Sequence, residues 1–374
     1  MAPPVPILLM IRELGLGGTE RQLSAVARSL DPSKFAVHIG CFQDQGLRRQ
    51  ELDQAGIPIA RFPVRSFRSF SVLTGALEMR RYTRRHGIRL VHAFDYPAIV
   101  FGIPAARSCR GVVAVSSQRY HRSLRPGWPH QFQRLTDRLA DAVVVNCEYL
   151  AHHMREDEHV PAKRIQLCYN GLDLEMFRPL PGPRRSEVAD ASLVIGVACA
   201  LRPEKDLGTL LTAFAHVRNL RPGMKLLIVG DGSCKPQLEE QARALGLAHD
   251  SVFLNASADV AQFLGSMDIF VLPSLSEALS NSLMEAMACG CCAVASRTGG
   301  NVELVAEGRT GRLFEPGNAA DLALVLEDLI ADDARRKEIA ARGRRFIEEQ
   351  FSFAAMARRM EEIYALLLKP DVAG

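Results

Sequence analysis

Short unbroken apolar runs alternate along the chain with longer stretches in which apolar positions recur every three or four residues. Residues 5–11, 36–42, 90–93, 111–115 and 142–145 are of the first kind and predict strands, while 20–30 and 73–86 are of the second and predict helices. Strands without polar alternation are buried on both faces, so the pattern predicts a parallel sheet covered by helices on both sides. It stops at Pro179-Leu180-Pro181-Gly182-Pro183, which breaks every regular element and runs into Arg184-Arg185. That stretch reads as a hinge or linker. The alternation then restarts, with strands at 193–198, 225–230, 251–254, 269–272 and 292–295 and helices at 207–219, 235–245, 282–288, 320–331 and 335–351. A last helix, 353–368, lies beyond the final strand. The expectation is an α/β protein of two doubly wound, Rossmann-like domains, residues 1–180 and 181–352.

Composition agrees with two folded domains and narrows the function classes. A chain of 374 residues exceeds one typical core. With 48% hydrophobic and 24% charged residues it is globular rather than disordered. A net charge of +4 dictates no partner, and there is no zinc spacing, aromatic RNA-reading signature or basic heptad helix, so nucleic acid is not expected. No run approaches the ~18 apolar residues of a spanning helix. The first strand is too short, and lacks the cationic start, for a secretory leader. Nine scattered cysteines fit no disulfide framework and point to a reducing cytoplasm. The cluster Cys289, Cys291 and Cys292 reads as small buried residues.

Three segments carry chemistry. Gly15-Leu16-Gly17-Gly18-Thr19-Glu20 follows the first strand and opens a helix, so its backbone could approach an anion at the helix start. An ordinary tight turn would read the same way. Arg202 and Lys205 follow the first strand of the second domain, where doubly wound sheets bind ligands. They could neutralise a diphosphate, or be a solvated loop. The segment from Pro273 to Gly290 sets Glu277 in the loop after a strand and Glu285 one turn into the next helix. The amides of Asn281, Ser282, Leu283 and Met284 would point from that helix start, offering phosphate contacts beside carboxylates that accept sugar hydroxyls. The plainer reading of Glu285 is a capping box with Ser282.

These residues reach a known family. Asn170-Gly171-Leu172-Asp173 with Phe177 and Pro179, then Arg202 and Lys205, then Leu227-Ile228-Val229-Gly230-Asp231-Gly232, begin the series. The pair Glu277 and Glu285, Gly299-Gly300-Asn301-Val302-Glu303, Thr310-Gly311-Arg312-Leu313-Phe314, and Gly17-Gly18-Thr19-Glu20 complete it. Together they resemble family 4 of the retaining glycosyltransferases, with the GT-B fold, over essentially the whole chain. The resemblance implies two Rossmann-like domains with a cleft between them, the 353–374 segment returning to the first domain. It implies a nucleotide-sugar donor, usually a UDP- or GDP-sugar, and neither metal nor other cofactor. Glu277, Arg202 and Lys205 would then be the catalytic groups. Glu285 would hold the ribose, and Gly17, Gly18, Asn281, Ser282 and Leu283 would complete the donor site.

The chain also departs from that family. Ser117 stands where many relatives carry a histidine near the donor sugar, with Arg119 and His121 close by. His92 ends a strand and reads either as a satisfied core residue or as part of the acceptor side. The usual Glu-Gly-Phe-Pro is Glu277-Ala278-Leu279-Ser280 here. Between 61 and 89 lie eight arginines against Glu78, interleaved with Phe62, Phe67 and Phe70. This is either a solvated face or a contact with anionic lipid at the inner membrane face. The leading expectation is sugar transfer to a glycan, a lipid-linked or a small-molecule acceptor. The alternatives are a nucleotide-sugar epimerase of the same fold and a non-catalytic nucleotide-sugar-binding partner.

Overall fold

A strand covered on both faces needs apolar residues at every position, and Val5–Ile11 (β1) has them: VPILLMI, its last five residues buried. The computed structural model describes residues 3–15, 17–121, 127–257 and 259–369. They form two compact units, Met1–Gly171 with Phe353–Gly374, and Leu172–Ser352.

The first unit is built on a seven-stranded parallel sheet. Its strands are β1, β2 (Phe35–Cys41), β3 (Ile59–Arg61), β4 (Leu90–Ala93), β5 (Val113–Gln118), β6 (Ala142–Val145) and β7 (Ile165–Leu167), in the order β3-β2-β1-β4-β5-β6-β7. From β1 the chain winds outward to β2 and β3, then returns to β4 and winds the other way. β1 and β4 are therefore the neighbours at which the winding reverses, in register Ile7 to Leu90. Doubly wound sheets bind ligands off the carboxyl ends of such a pair. Helix Phe353–Leu368 packs along helix Gly18–Ser29, and Tyr364 is fully buried.

The second unit repeats the plan with six parallel strands: β8 (Leu193–Ala198), β9 (Met224–Val229), β10 (Ser251–Leu254), β11 (Ile269–Leu272), β12 (Cys292–Ser296) and β13 (Arg312–Phe314). Their order is β10-β9-β8-β11-β12-β13, with the reversal between β8 and β11.

The structure corrects the linker expectation. The chain passes between units at Gly171–Leu172 and Ser352–Phe353, and residues 179–183 lie inside the second unit. The arginines that follow are partly exposed and tied down within that unit. Arg184 Nη2 pairs with Asp268 Oδ2 at 2.6 Å, and the Arg185 amide donates to Ser266 Oγ at 3.1 Å.

All nine cysteines are free thiols, including buried Cys289, Cys291 and Cys292. Burial pushes Cys292 up to about 12 and Cys291 well above its ordinary value. No described helix is long and apolar enough to cross a membrane.

Candidate functional site

Three loops of the second unit converge at its reversal point. The loop after β8 carries Arg202 and Lys205, the loop after β11 carries Glu277, and the loop after β12 carries Gly299 and Gly300. Backbone ties fix their register. The Leu275 amide donates to Glu204 O at 2.9 Å, the Gly300 amide to Ala278 O at 2.9 Å, and Thr298 Oγ1 to Leu275 O at 3.3 Å. Ser296 Oγ, buried at the end of β12, donates to Ser274 O at 2.5 Å.

The convergence brings Lys205 and Glu277 into contact. Lys205 Nζ pairs with Glu277 Oε1, to which Ser274 Oγ also donates at 2.9 Å. Both side chains are largely enclosed, at 18% and 11% exposed, so the pair is poorly screened. Arg202 differs. Its side chain is 66% exposed, and its nearest carboxylate is Glu204 at 4.0 Å. Spacing in the sequence could not separate the two cations; the short helical turn Pro203–Lys205 does, followed by Asp206 at φ +46.

Glu285 is buried in helix Asn281–Ala288. The helix cap is Ser280 rather than Ser282: Ser280 Oγ accepts from the Leu283 amide at 3.3 Å, and Ser280 O accepts from Met284 at 3.2 Å. This removes the capping-box reading of Glu285. It also engages two of the four amides expected to face a phosphate, those of Leu283 and Met284.

In the first unit, Gly17 caps helix Gly18–Ser29 without a side-chain bond, and the helix starts two residues earlier than its apolar period predicts. The residue that sequence reasoning missed here is Asp95, off the end of β4 and so at the reversal point. Its carboxylate accepts from the Ala98 amide at 2.9 Å and the Arg12 amide at 3.1 Å. Burial pushes it up to about 6 despite those bonds. The available signal was local, because Asp95-Tyr96-Pro97 is a helix-capping residue followed by an early proline.

The four residues expected on the acceptor side divide. His92 and Ser117 are interior, at 0% and 3% exposed, and bonded to each other through His92 Nε2 and Ser117 Oγ at 2.8 Å. His92 Nδ1 lies 2.7 Å from the Tyr364 hydroxyl, so both ring nitrogens are satisfied. Arg119 lies over the Phe94 ring at 4.9 Å and donates to Asn170 Oδ1 at 2.7 Å; burial brings it down to about 10. His121 lies apart from these, its ring 3.8 Å from that of His153. His121, His153 and Asp157 offer ligand atoms within 4.8 Å of one another, a spacing that could hold a metal ion. His153 Nδ1 is meanwhile 2.6 Å from Asp157 Oδ2.

The buried His92 has a measurable consequence. Burial, with the Arg119 charge second, holds it well below its ordinary value of 6.5. As pH falls through about 6.5 the unfolded chain takes up this proton while the folded chain does not, so stability is lost with acid, at a slope approaching about 1.4 kcal/mol per pH unit. His92→Gln keeps a donor and an acceptor and should flatten that slope when melting is followed from about pH 7.5 to about 5.5. Equal slopes in both proteins would place the proton uptake elsewhere.

Comparison with known proteins bears on both units. Residues 16–176 match the family described as Glycosyltransferase Family 4, and residues 183–346 match Glycosyl transferases group 1. The D-inositol 3-phosphate glycosyltransferase of Stackebrandtia nassauensis is 31% identical over 216 residues, 54% of this chain and 49% of that protein. The alpha-maltose-1-phosphate synthase of Mycolicibacterium smegmatis is 31% identical over 256 residues, 62% of this chain and 65% of that protein. The chain thus aligns with about half to two thirds of the length of these curated relatives. Among solved structures, Anabaena HepE in complex with UDP superposes with a TM-score of 0.83 at 23% identity, covering 97% of this chain and 100% of that one.

Proposed function

The chain belongs to glycosyltransferase family 4, with the Rossmann-like domains of the GT-B fold, and from that premise we propose that it transfers a sugar from a UDP-sugar with retention of anomeric configuration. The observation that carries this reading is the Lys205–Glu277 pair at the β8/β11 reversal. Leaving of a nucleoside diphosphate develops negative charge, which an enclosed ammonium already in place stabilises as the bond breaks. The Glu277 carboxylate beside it accepts donor-sugar hydroxyls. Donor binding exchanges their mutual ion pair for these two contacts. Arg202 closes on the diphosphate from its exposed position, Glu285 holds the ribose, and the first-turn amides of Asn281 and Ser282, which the Ser280 cap leaves aside, complete this unit's part of the site. The course we propose for retention uses no covalent nucleophile. The reading is therefore direct attack by the acceptor hydroxyl on the face the phosphate leaves, the phosphate oxygen taking the hydroxyl proton. Positioning and charge supply the acceleration.

We further propose that the cations of Lys205 and Arg202 make a metal unnecessary. Turnover unchanged by EDTA supports this, and its collapse with restoration by Mg²⁺ or Mn²⁺ overturns it. The acceptor class is a glycan, a lipid-linked sugar or a small molecule, reached from the cytoplasm. The arginine-rich stretch 61–89 lies against anionic lipid in this reading.

The test is a panel of UDP-, GDP- and ADP-sugars, beginning with UDP-glucose because a HepE structure holds it, read as release of nucleoside diphosphate with and without a crude glycan and lipid extract. Extract-dependent release with the axial or equatorial configuration retained in the product confirms the reading. Acceptor-independent conversion of the sugar points to an epimerase. Tight nucleotide binding without turnover points to a non-catalytic partner.

A further inference from the structure

Helix Trp128–Leu139 is turned inside out. Its buried side chains are polar, Gln133 at 2%, Thr136 at 4% and Asp137 at 3% exposed. Its apolar stripe faces solvent, with Trp128 at 61%, Phe132 at 52%, Leu135 at 57% and Leu139 at 43% exposed. These four positions are spaced by four, three and four residues, one face of a helix. The orientation is locked from beneath. Ser116 Oγ donates to Asp137 Oδ1 at 2.7 Å, Gln133 Nε2 donates to Gln118 Oε1 at 2.8 Å, and the Tyr120 hydroxyl donates to Gln133 Oε1 at 2.8 Å. Rolling the stripe inward would break all three bonds and take these partners from Ser116 and Gln118, which are buried at 0% and 1% exposed. A stripe held outward this firmly marks an interaction surface.

A second apolar edge belongs to the same layer. Helix Trp128–Leu139 packs on helix Tyr96–Arg107, which packs in turn on helix Ser71–Arg85. That third helix and its lead-in expose Phe67, Phe70, Leu73 and Leu77. Phe62, expected with them, is instead buried at 2% beneath the layer, where it packs with Tyr82. The middle helix turns Pro104 outward. Arginines surround these apolar edges. Arg65, Arg68, Arg81, Arg84, Arg85 and Arg138 are exposed, and none has an ion-pair partner among the described residues.

We propose that this three-helix face docks on an anionic lipid surface, with Trp128, Phe132, Leu135, Phe70 and Leu73 entering the headgroup boundary and the surrounding arginines meeting lipid phosphates. The proposal extends the lipid contact named under the proposed function, but its apolar anchor is a different segment. Charge decides the occupant. Two copies meeting through this face would set unpaired arginines against unpaired arginines, whereas an anionic bilayer satisfies apolar and basic groups together. Aromatic side chains with an apolar body and one polar edge suit that boundary.

Trp128 is the chain's single tryptophan, so its emission reports this helix alone. The full chain is titrated with vesicles of phosphatidylcholine and of phosphatidylcholine mixed with phosphatidylglycerol. The expected result is a blue shift and co-sedimentation with the anionic vesicles only. Phe132→Ser with Leu135→Ser should weaken that binding at least about tenfold and leave the melting temperature unchanged. No shift with anionic vesicles, equal binding by the double variant, or a blue shift that follows protein concentration without lipid would overturn the proposal, the last in favour of a second copy. None of these readouts uses a nucleotide or turnover, so a failed donor assay leaves them intact, and a failed vesicle assay leaves the donor site intact.

Discussion

Glu277→Gln is expected to lower turnover by about 10²–10³-fold, the scale of losing one preorganised polar contact to a transition state, while nucleoside diphosphate binding changes little. The substitution keeps the shape and the Ser274 bond but removes the charge that Lys205 meets. Glu277 is proposed to contact the sugar, so its loss belongs in kcat and in donor-sugar affinity rather than in affinity for the product nucleotide. Lys205→Ala should behave the other way. It removes an enclosed ammonium proposed to meet the diphosphate, and affinity for the nucleoside diphosphate should fall by about 1.5–3 kcal/mol. Arg202→Ala should fall at or below the lower end of that range, because its guanidinium is mostly hydrated and must be ordered on binding. Isothermal titration of the diphosphate separates these from steady-state kinetics. If Glu277→Gln loses diphosphate affinity as Lys205→Ala does, the two residues are not divided between sugar and phosphate as proposed. If neither variant changes anything, the pair is a structural tie between two loops.

The sequence pattern made the fold legible where the physics is simple. Fully buried strands read as unbroken apolar runs, and β1, β4, β6, β8 and β11 all stand within a residue of where their runs predict. Elements whose stability comes from their surroundings were not legible. β3, β7 and β13 have three residues each, too few to carry a period, and exist because a neighbouring strand pairs with them. Helix Tyr96–Arg107 is apolar nearly all round and contains Pro97 and Pro104, which hides its period. Helix Trp128–Leu139 has a strong period, but the ordinary rule would place its apolar face inward, and only the three-dimensional bonds of Gln133 and Asp137 reverse it.

The candidate site divides in the same way. Residue types and order were readable, which brought Glu277, Lys205, Arg202 and Glu285 forward as a group. Contacts were not. Spacing gave no sign that Lys205 would lie on Glu277 while Arg202 stays in solvent, that Ser280 rather than Ser282 caps the helix, or that His92 and Ser117 satisfy each other in the interior. Asp95 escaped because its neighbourhood is made by Arg12, just after β1 and 83 positions earlier in the chain; local sequence contains only its capping role.

The glycines of the second unit show how the two loops are held together. Gly299, at φ +51, faces the Glu277 backbone so closely that a Cβ would stand 1.8 Å from the Glu277 carbonyl oxygen. Gly230, at φ +154, would place a Cβ 1.9 Å from Cys199 O, under the loop that leads to Arg202 and Lys205. Each is a backbone-to-backbone approach, so no side chain can swing aside to relieve it. Gly299→Ala must therefore move residue 277, and Gly230→Ala must move the cationic loop. The clash and backbone strain together should lower stability by about 2–4 kcal/mol. In the fraction that stays folded, Gly299→Ala should act mainly on turnover and Gly230→Ala mainly on diphosphate affinity, following the division between Glu277 and Lys205. Gly308 supplies the control. Its φ is +68, but a Cβ there meets nothing within 4 Å. Gly308→Ala thus carries backbone strain without a clash and should lower stability by about 1 kcal/mol with kinetics unchanged. Thermal melts of the three variants beside kcat and diphosphate affinity make the comparison. If Gly308→Ala impairs turnover as much as Gly299→Ala, the loss follows from general destabilisation, and the glycine contacts do not set the position of Glu277.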